Sequence, residues 1–521
     1  MTRVAALAVI VAAVLGTAWR WGSFVAGGSD SACYATQAVR WAEVLRHPSS
    51  GSMQPPDALA LAAPWPDPTP TFTPTGHVAS RVVAGAFVPI CPAGLSLAMA
   101  PFYLAGGARL MFALVPLFGA LLVLATYTVG ARFAPRVGVA AAALIAASPV
   151  FLYQVVQPMS DVPAAALWVL AVACASGTAR RHALTAGLAT SAAVLMRPNL
   201  VPLGMVIGLF LALRPERSWP QRWRSAAVYA AWSAPGCLAV ALIQQSFYGS
   251  PFASGYASYS VLFSAAHVAP NAARYAGWLW TSHAPAIVLA LLAPVLLPGA
   301  FTTLLLGLFA ANVALYLPYV VFGDWSYLRF LLPTIPLILV LAAAVLDAIV
   351  ARVLKSGLAP SNRAHVRRAA IVLAVLTLVI AGIFVRQARA RHAFELRDME
   401  ARFAHSGRFV ASRLPPNAMV ITDYESASVL FYSGRRTLAW GALDPAWLDR
   451  AVTWVRESGL EPYLLFERWE EPTFRARFAQ SRIGALDWPP MAEIATQVRL
   501  YRVADLDRYR AGQPVPTEYA P

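Results

Sequence analysis

The sequence predicts a mainly α-helical protein that crosses a membrane many times and ends in a small α/β domain. Of its 521 residues, 58% are hydrophobic and only 13% are charged, about half the charged fraction of an average soluble domain. Apolar stretches of helix length recur through residues 1–386, the predicted transmembrane domain. Residues 387–521 instead alternate between strand-like and helix-like segments, which predicts a soluble α/β domain.

Eleven segments of the first domain have the apolar character of membrane helices, although several are shorter than the roughly 20 residues of a full span. They are Val4–Phe24, Leu110–Gly130, Val137–Tyr153, Val162–Gly177, Ala183–Met196, Leu200–Leu213, Ala226–Ile243, Ala284–Leu297, Phe301–Val321, Leu328–Ala351 and Ala369–Val385. A cleaved signal peptide is the alternative for the first segment. Because no convincing small-residue cleavage site follows it, we interpret it as a membrane helix.

A further apolar stretch, Ala84–Gly106, contains Pro89, Pro92 and Pro101. Proline removes a backbone donor and interrupts the helical hydrogen-bond ladder. We therefore expect this stretch to form an interfacial or re-entrant element.

The positive charge predicts the orientation in the membrane. The net charge is +16, and residues 1–386 hold 23 basic and 8 acidic residues. With a cytoplasmic N-terminus, 14 of the 23 basic residues fall in short inner loops, as the positive-inside rule expects. These are Arg3, Arg132, Arg136, Arg180, Arg181, Arg214, Arg217, Arg222, Arg224, Arg352, Lys355, Arg363, Arg367 and Arg368. The charge therefore indicates membrane topology and excludes nucleic acid as the partner. The loop 26–80, the loop Ser246–His283 and everything after Val385 then lie outside the cytoplasm.

In the C-terminal domain, four segments are predicted strands: Ala418–Thr422, Thr437–Trp440, Pro462–Phe466 and Val498–Val503. Helices are predicted near Ser426–Tyr432, Pro445–Glu457 and Thr473–Gln480. The order of strands and helices predicts a small α/β layer on the extracytoplasmic side.

The four cysteines, Cys33, Cys91, Cys174 and Cys237, do not have the spacing of metal ligands. Cys33 and Cys91 both face the oxidising compartment in this topology. We nevertheless interpret all four as small buried apolar residues.

The eight acidic residues of the first domain lie mostly on the outer side. The outer six are Asp30, Glu43, Asp57, Asp67, Asp161 and Asp324, and the inner two are Glu216 and Asp347. Ionisable groups at a membrane are costly, so this distribution indicates an outward-facing polar site. We interpret Glu43 and Asp57 as cap or solvated loop residues. Asp67, within Pro-Asp-Pro, fits a rigid turn and a site residue equally well.

Asp30 follows Gly27-Gly28-Ser29, where the chain leaves the first span, and precedes a segment that we expect to form an interfacial helix. Two interpretations stay open. The carboxylate either caps this helix or accepts a proton from an attacking hydroxyl.

Several basic residues complement the acids on the outer side. His77 and Arg81 end the first loop, Arg197 precedes Pro198, and Arg329 lies among apolar residues at the mouth of a span. A phosphate or carboxylate would satisfy the planar guanidinium of an arginine in such a place. Ion pairs of Arg197 with Asp161 and of Arg329 with Asp324 are the alternative, and they are compatible with ligand binding.

These segments resemble the polyprenyl-phosphate-dependent glycosyltransferases of the GT-C fold, which include the lipid A aminoarabinose transferases and the protein O-mannosyltransferases. The resemblance covers about residues 1–390 and rests on five short segments in the order of the family. They are Gly28–Tyr34, Phe87–Tyr103, Ser148–Pro163 with its Met-Ser-Asp161 sequence, Met196–Asn199 and Tyr327–Pro333. Two features depart from the family pattern, since Ser31 follows Asp30 where many relatives have a second acid, and Arg197 stands where lysine is frequent.

The resemblance implies a role for each matching residue. Asp30 would be the catalytic base. Arg197 and Arg329, with Arg81, would bind the phosphate of the lipid-linked donor. Substrate contacts are expected from Asp161, Tyr34, His77, Tyr327, Asp324 and Asp67.

The function that we predict is transfer of a hexose or pentose from a polyprenyl-phosphate donor, in the bilayer, to a hydroxyl of a protein, lipid or polysaccharide. No cofactor is indicated, no metal ligands are assigned, and divalent metal use, which varies in this fold, is left open. One alternative is a transporter or flippase of lipid-linked sugars, but we detect no internal repeat, and the acids lie at helix ends. The other is a glycan polymerase or ligase.

Overall fold

The computed structural model describes residues 3–177, 179–214, 218–355 and 363–520. Glu216 and Arg217 lie outside the described residues. The chain folds as two compact units, each built from separate stretches of sequence. Unit 1 comprises Met1–Gly22, Ala113–Ala241 and Ala257–Leu396, and unit 2 comprises Ser23–Phe112, Leu242–Tyr256 and Arg397–Pro521.

Most of the described residues are helical. The helices are α1 (Arg3–Trp21), α2 (Asp30–Arg46), α3 (Ala58–Ala62), α4 (Ala93–Phe112), α5 (Leu114–Gly130), α6 (Pro135–Ala147), α7 (Pro149–Val155), α8 (Asp161–Ala175), α9 (Arg180–Met196), α10 (Val201–Leu213), α11 (Trp219–Tyr248), α12 (Tyr259–Leu262), α13 (Val268–Leu291), α14 (Ala293–Leu296), α15 (Ala300–Tyr316), α16 (Ile335–Lys355), α17 (Arg363–Ala390), α18 (Leu396–Arg413), α19 (Ser426–Ser433), α20 (Leu448–Glu457), α21 (Glu471–Arg477) and α22 (Asp505–Arg510). Short 3-10 segments are Thr69–Phe72, Pro198–Leu200, Ala265–His267, Trp325–Leu331, Trp440–Ala442 and Pro445–Trp447.

Among the described residues, six helical segments are long and apolar enough to cross a membrane. They lie in α1, α4, α11, the continuous run Ala265–Leu296, α16 and α17. The pair α6–α7, bent by 63°, makes a seventh if it is one span, and four further apolar helices have 10–17 residues. Each of the eleven predicted spans overlaps a helix. Helix α9, which overlaps the fifth predicted span, begins with charged residues and belongs neither to the long apolar segments nor to the shorter apolar helices. The chain is thus a membrane helical protein, and the number eleven stays a prediction.

Close helix contacts in unit 1 depend on small residues. A Cβ on Gly130 of α5 would lie 2.9 Å from the Cα of Gly138 on α6, so only glycine allows this approach. Helix α8 packs against α5 and α9 and is buried along nearly its whole length, as its uniformly apolar sequence requires. At the same end of α6, Arg136 donates to both carboxylate oxygens of Asp347 on α16, at 2.6 and 3.0 Å.

The proline-containing stretch forms a short strand followed by a kinked helix. Pro89 ends a strand and Pro92 precedes α4, while Pro101 lies inside α4, which continues to Phe112. Non-helical backbone occurs only at Gly106 and Gly107 within α4. The first two prolines lie outside the helix, and the kink in α4 lies at Gly106 and Gly107 instead of Pro101. The interfacial or re-entrant placement of this stretch stays a prediction.

The predicted outer loop Ser246–His283 is also largely helical. Helix α13 begins at Val268, and it bends at His283, where the backbone leaves the helical region just before Pro285. Polar residues such as Asn271 and Arg274 in its first turns lower the hydropathy there. The sequence therefore indicated only its apolar second half.

Unit 2 contains a mixed six-stranded sheet. The strands of the unit are β1 (His77–Ala79), β2 (Phe87–Pro89), β3 (Ala418–Ile421), β4 (Arg436–Leu438), β5 (Glu461–Glu467), β6 (Ala492–Ile494), β7 (Val498–Arg502) and β8 (Glu518–Ala520). The sheet order is β4-β3-β5-β7-β6-β8, and β1 and β2 form a separate antiparallel pair. In the sheet, β3 is parallel to β4 and β5, β7 is antiparallel to β5 and β6, and β6 is parallel to β8.

The first loop contributes to the core of this sheet. Trp65 and Phe72 stack at 5.9 Å and both pack against Trp454 of α20. The backbone of Ala439, which follows β4, donates to the carbonyl of Thr71. Residues 26–80 are therefore an integral part of unit 2, whose last segment begins at Arg397, whereas the predicted C-terminal domain begins at residue 387.

Cys33 of α2 and Cys91, two residues after β2, form a disulfide with a Cα–Cα distance of 6.2 Å. The interpretation of all four cysteines as buried apolar residues is therefore wrong for this pair. It is also wrong for Cys237, which is exposed, while Cys174 is half-buried. The pairing was not predictable from the sequence, where the two cysteines are 58 positions apart, because only the packing of α2 beside the β1–β2 segment brings the two thiols together.

Candidate functional site

The predicted site residues are divided between the two units. Unit 1 holds Asp161, Arg197, Asp324, Tyr327 and Arg329, and unit 2 holds Asp30, Tyr34, Asp67, His77 and Arg81. Each group is described within its own unit.

Arg197 and Asp161 form a buried ion pair in unit 1. Helix α9 ends at Met196 because Pro198 follows, and Arg197 Nη2 donates to Asp161 Oδ1 at 2.6 Å. The side chains are 11% and 1% exposed. The predicted alternative of a structural pair is thus confirmed. Asp161 Oδ2 has no hydrogen-bond partner among the described residues, so one acceptor oxygen remains available at the start of α8.

Two guanidiniums of unit 1 share one aromatic ring. Arg197 and Arg329 lie over Phe330, with their Cζ atoms 5.4 and 5.5 Å from the ring centroid. Arg329 also lies over Tyr327 at 5.1 Å and donates to the sulfur of Met159 at 3.5 Å. Cation–π attraction stabilises a guanidinium beside an aromatic ring, and the planar fork of an arginine suits the oxygens of an anion.

A second layer of aromatic rings supports this arrangement. Tyr316 stacks on Phe330 at 4.7 Å, and its hydroxyl accepts a hydrogen bond from Asn199 at 2.7 Å. Tyr327 stacks on Phe322 at 3.8 Å. Stacking of this kind restricts the rings, so the two arginines lie on a preorganised surface.

Asp324 has a capping role. Its carboxylate accepts from the backbone N–H of Ser326 at 2.8 Å and begins the 3-10 helix Trp325–Leu331. A carboxylate in this position stabilises a helix start by about 1 kcal/mol. Its predicted contact with substrate stays a prediction.

Sequence reasoning missed two further arginines in unit 1. Arg391 lies 4.5 Å over Trp325 and donates to Thr281 Oγ1 at 2.7 Å. Arg274 donates to the carbonyl of Phe322 at 2.7 Å. Both were recognisable as basic residues on the predicted outer side, Arg391 directly after the last span and Arg274 within the predicted loop Ser246–His283. The contacts with Trp325 and Phe322 were not.

In unit 2, Asp30 is the first residue of α2. The N-cap is Ser29, so Asp30 is not itself the cap. The preceding Gly28 has a positive φ of 54°, and a Cβ at Gly27 would clash with the ring of Phe403. The two glycines therefore let the chain turn tightly into α2, which holds Asp30 half-buried at the helix start, where the helix dipole favours a negative charge.

His77 is held by hydrogen bonds to two threonines. Its Nδ1 donates to the carbonyl of Thr75, and its Nε2 lies 3.2 Å from Thr36 Oγ1 on α2. Burial lowers the pKa of His77 to about 4, and the charge of Arg40 acts in the same direction. His77 is therefore neutral near pH 7. Arg40, which sequence reasoning left out of the site, lies 5.4 Å over Phe87.

The three other predicted site residues of unit 2 differ in their burial and contacts. Tyr34 is buried in α2, and its carbonyl accepts from Ser96 Oγ of α4. Asp67 is exposed in a turn with a positive φ of 47°, which agrees with the rigid-turn interpretation. Arg81 is exposed between β1 and β2. Their proposed contacts with substrate stay predictions.

No group of three or more His, Cys, Asp or Glu side chains in the described ranges has the arrangement of a metal site.

Solved structures of membrane glycosyltransferases resemble this chain over most of its length. ArnT from Cupriavidus metallidurans, bound to undecaprenyl phosphate, has a TM-score of 0.55 at 12% identity, over 96% of this chain and 98% of that one. The archaeal oligosaccharyltransferase AglB from Archaeoglobus fulgidus, in complex with an inhibitory peptide and a dolichol-phosphate, has a TM-score of 0.53 at 13% identity, over 91% and 70%. The arabinofuranosyltransferase AftD from Mycobacteria has a TM-score of 0.51 at 17% identity, over 90% of this chain and 37% of that one.

At these low identities the comparisons show the fold. The chain has the GT-C fold, which confirms the fold expected from the short sequence segments. No protein-family model matches the sequence, and the comparison with curated proteins gives no match.

Proposed function

We propose that the protein is an integral membrane glycosyltransferase. It transfers a hexose or pentose from a polyprenyl-phosphate donor to a hydroxyl acceptor on the outer face of the bacterial cytoplasmic membrane. The observation that carries this proposal is the GT-C fold, matched over 96% of the chain to a protein that binds undecaprenyl phosphate. The positions of the arginines and of Asp30 support the assignment of roles.

Unit 1 supplies the groups suited to the phosphate of the donor. Arg197 and Arg329 lie over Phe330 and keep a permanent positive charge. As the bond from the anomeric carbon to the phosphate oxygen breaks, negative charge builds up on the phosphate. Preorganised cations stabilise that charge more than they stabilise the ground state.

Unit 2 supplies the base. In the proposed step, the carboxylate of Asp30 accepts the proton of the acceptor hydroxyl, and the acceptor oxygen forms the new bond to the anomeric carbon. Polyprenyl phosphate departs with the electron pair of the broken bond. A half-buried carboxylate at a helix start suits this role, since it retains water access for the acceptor.

The disulfide supports the orientation. Disulfides persist in oxidising compartments and are rare in the cytoplasm. The bond between Cys33 and Cys91 in unit 2 therefore favours an extracytoplasmic location for that unit, as the distribution of arginine also predicts.

Replacement of Asp30 tests the proposed base. Asp30→Asn keeps the size of the side chain but removes the proton acceptor, so we expect transfer to fall by at least 100-fold, within the range of general-base contributions. Transfer is measured with purified protein in detergent and a polyprenyl-phosphate-linked sugar. The donor is first identified as the lipid-linked sugar that accumulates in a deletion strain. The matched control is Glu43→Gln, which removes an exposed carboxylate from the same helix and should leave transfer within twofold.

Near-normal transfer by Asp30→Asn would exclude the proposed base. Since detergent leaves no membrane to cross, a flippase would show no transfer by the wild-type protein in this assay, and that result would exclude the glycosyltransferase itself.

A further inference from the structure

A cavity of about 310 Å³ lies within unit 2. Three aromatic residues line it, Tyr424, Trp440 and Trp469, together with the carboxylates of Asp423 and Glu470 and the hydroxyls of Thr75 and Thr473. None of these seven residues is basic, which disfavours a phosphate or other anion as the ligand. The combination is instead complementary to a sugar, which has an apolar C–H face and a rim of hydroxyl groups.

We propose that this cavity binds a single sugar ring. The aromatic side chains form the walls, because Tyr424 and Trp469 meet edge to face at 5.4 Å. Trp440 packs edge to face on Phe474 at 5.5 Å, within the core of the sheet. The negative face of an aromatic ring attracts partly positive hydrogens, which are the hydrogens on the C–H face of a sugar.

The two carboxylates are oriented before any ligand arrives. Both oxygens of Asp423 accept from the backbone N–H of Gly441, at 3.0 and 3.1 Å. Glu470 accepts from the backbone N–H groups of Tyr424 and Glu467, at 3.3 and 2.9 Å. Each carboxylate oxygen has a second lone pair, so neighbouring hydroxyls of a sugar find acceptors at defined positions. Burial raises the pKa of Asp423, and that of Glu470 to about 7, so Glu470 also serves as a donor over part of the physiological pH range.

The side chain of Trp440 forms part of the cavity wall. Trp440 is 6% exposed, and its indole Nε1 has no hydrogen-bond partner among the described residues.

The volume of the cavity limits the size of the ligand. A cavity of about 310 Å³ is at the lower end of the range for small-molecule sites, so it accommodates one ring rather than a longer glycan. The ring has two sources, an acceptor glycan or the sugar of a lipid-linked donor. Thr75 joins the cavity to the predicted site, since its hydroxyl donates to the carbonyl of Asp423 and its own carbonyl accepts from His77.

The test is saturation-transfer NMR on the full-length protein in detergent, with methyl glycosides of mannose, glucose, galactose, N-acetylglucosamine and arabinofuranose as probes. We expect at least one glycoside to bind. Trp469→Ala, which removes an exposed wall of the cavity, should weaken that binding at least fivefold, and Glu470→Gln should also weaken it. The matched controls, Tyr519→Ala and Glu457→Gln, alter exposed residues of the same unit outside the cavity and should bind as the wild type does.

Competition distinguishes the sources. If a polyprenyl-phosphate-linked sugar displaces the glycoside from the wild-type protein, the ring belongs to the donor, and if it does not, the ring belongs to the acceptor. Binding that is equal in Trp469→Ala and the wild type, or no binding of any glycoside, would overturn the proposal. These measurements need no catalysis, so a protein that binds glycosides through Trp469 but transfers no sugar would refute the proposed function and leave this site intact.

Discussion

At the scale of single residues, Arg197 and Arg329 combine two roles that a lysine cannot. Arg197 neutralises the buried carboxylate of Asp161 by a 2.6 Å contact, and both arginines lie over Phe330. A planar, delocalised cation stacks on a ring and still presents donors at its edge, whereas an ammonium group is a compact point charge. This explains why Arg197 is suited to the position at which the sequence departs from the lysine that is frequent in the family.

Replacement of Arg329 tests the phosphate role. Arg329→Ala removes a half-buried cation that lies over the rings of Tyr327 and Phe330. A charge-assisted hydrogen bond contributes about 1.5–3 kcal/mol, which predicts roughly a 10- to 100-fold loss in kcat/KM for the lipid-linked donor. Arg329→Lys should recover only part of it. Arg132→Ala, an exposed arginine of a predicted inner loop, is the control, and equal kinetics of the two alanine variants would contradict the role.

The sequence indicated the chemistry of several residues but not their partners. The pair of Arg197 with Asp161 was predictable as an alternative because each lies at a helix end on the predicted outer side. The stacking on Phe330 and the contact of Arg391 with Trp325 were not, since they depend on how separate helices pack. Periodicity and residue type carry no information about those distances.

At the scale of elements, several contacts fix α2, the helix that carries Asp30, within unit 2. Cys33 joins it to the segment after β2, Thr36 contacts His77, and the carbonyl of Tyr34 accepts from Ser96 of α4. Asp30, at its first residue, therefore belongs to an element with little freedom to shift.

Loss of the disulfide should destabilise unit 2. A cross-link that closes a loop of 58 residues stabilises the folded state by about 4 kcal/mol in the chain-entropy model. We expect Cys33→Ala/Cys91→Ala to lower the thermal midpoint of the protein, measured by fluorescence. Cys237→Ala, which removes an exposed free thiol, should leave it unchanged. In unfolded protein, a maleimide should label two thiols before reduction and four after it, and four labels without reduction would contradict the disulfide.

The elements that the sequence predicted well are those with a strong local pattern. The predicted strands overlap β3, β4, β5 and β7, and their sequences are largely apolar. The short strands β6 and β8 were not predicted. Helix α13 was predicted only in part, because Arg274 and Asn271 interrupt its apolar pattern. In α4 the prolines do not interrupt the helix, because Pro89 and Pro92 precede it, and the non-helical backbone lies at Gly106 and Gly107.

At the scale of the whole molecule, both units are assembled from distant stretches of sequence. Unit 2 joins the first loop, a short segment near Tyr248 and the C-terminal residues. The hydroxyl of Tyr248 donates to the carbonyl of Pro89, and Trp65 packs on Trp454. A linear reading divides the chain where its composition changes, and so it cannot detect a unit whose parts lie hundreds of residues apart.

The topology of the molecule yields the last prediction. Because 14 of 23 basic residues in residues 1–386 fall in the predicted inner loops, reversal would move them across the membrane against the positive-inside rule. A Cys174→Ala/Cys237→Ala background removes the free thiols, and Tyr519→Cys or Arg132→Cys then adds one exposed position in unit 2 or in the loop after α5. In spheroplasts, a membrane-impermeant maleimide should label the cysteine at 519 at once and the cysteine at 132 only after the membrane is opened. Labelling in the opposite order would refute the orientation and, with it, the placement of transfer on the outer face.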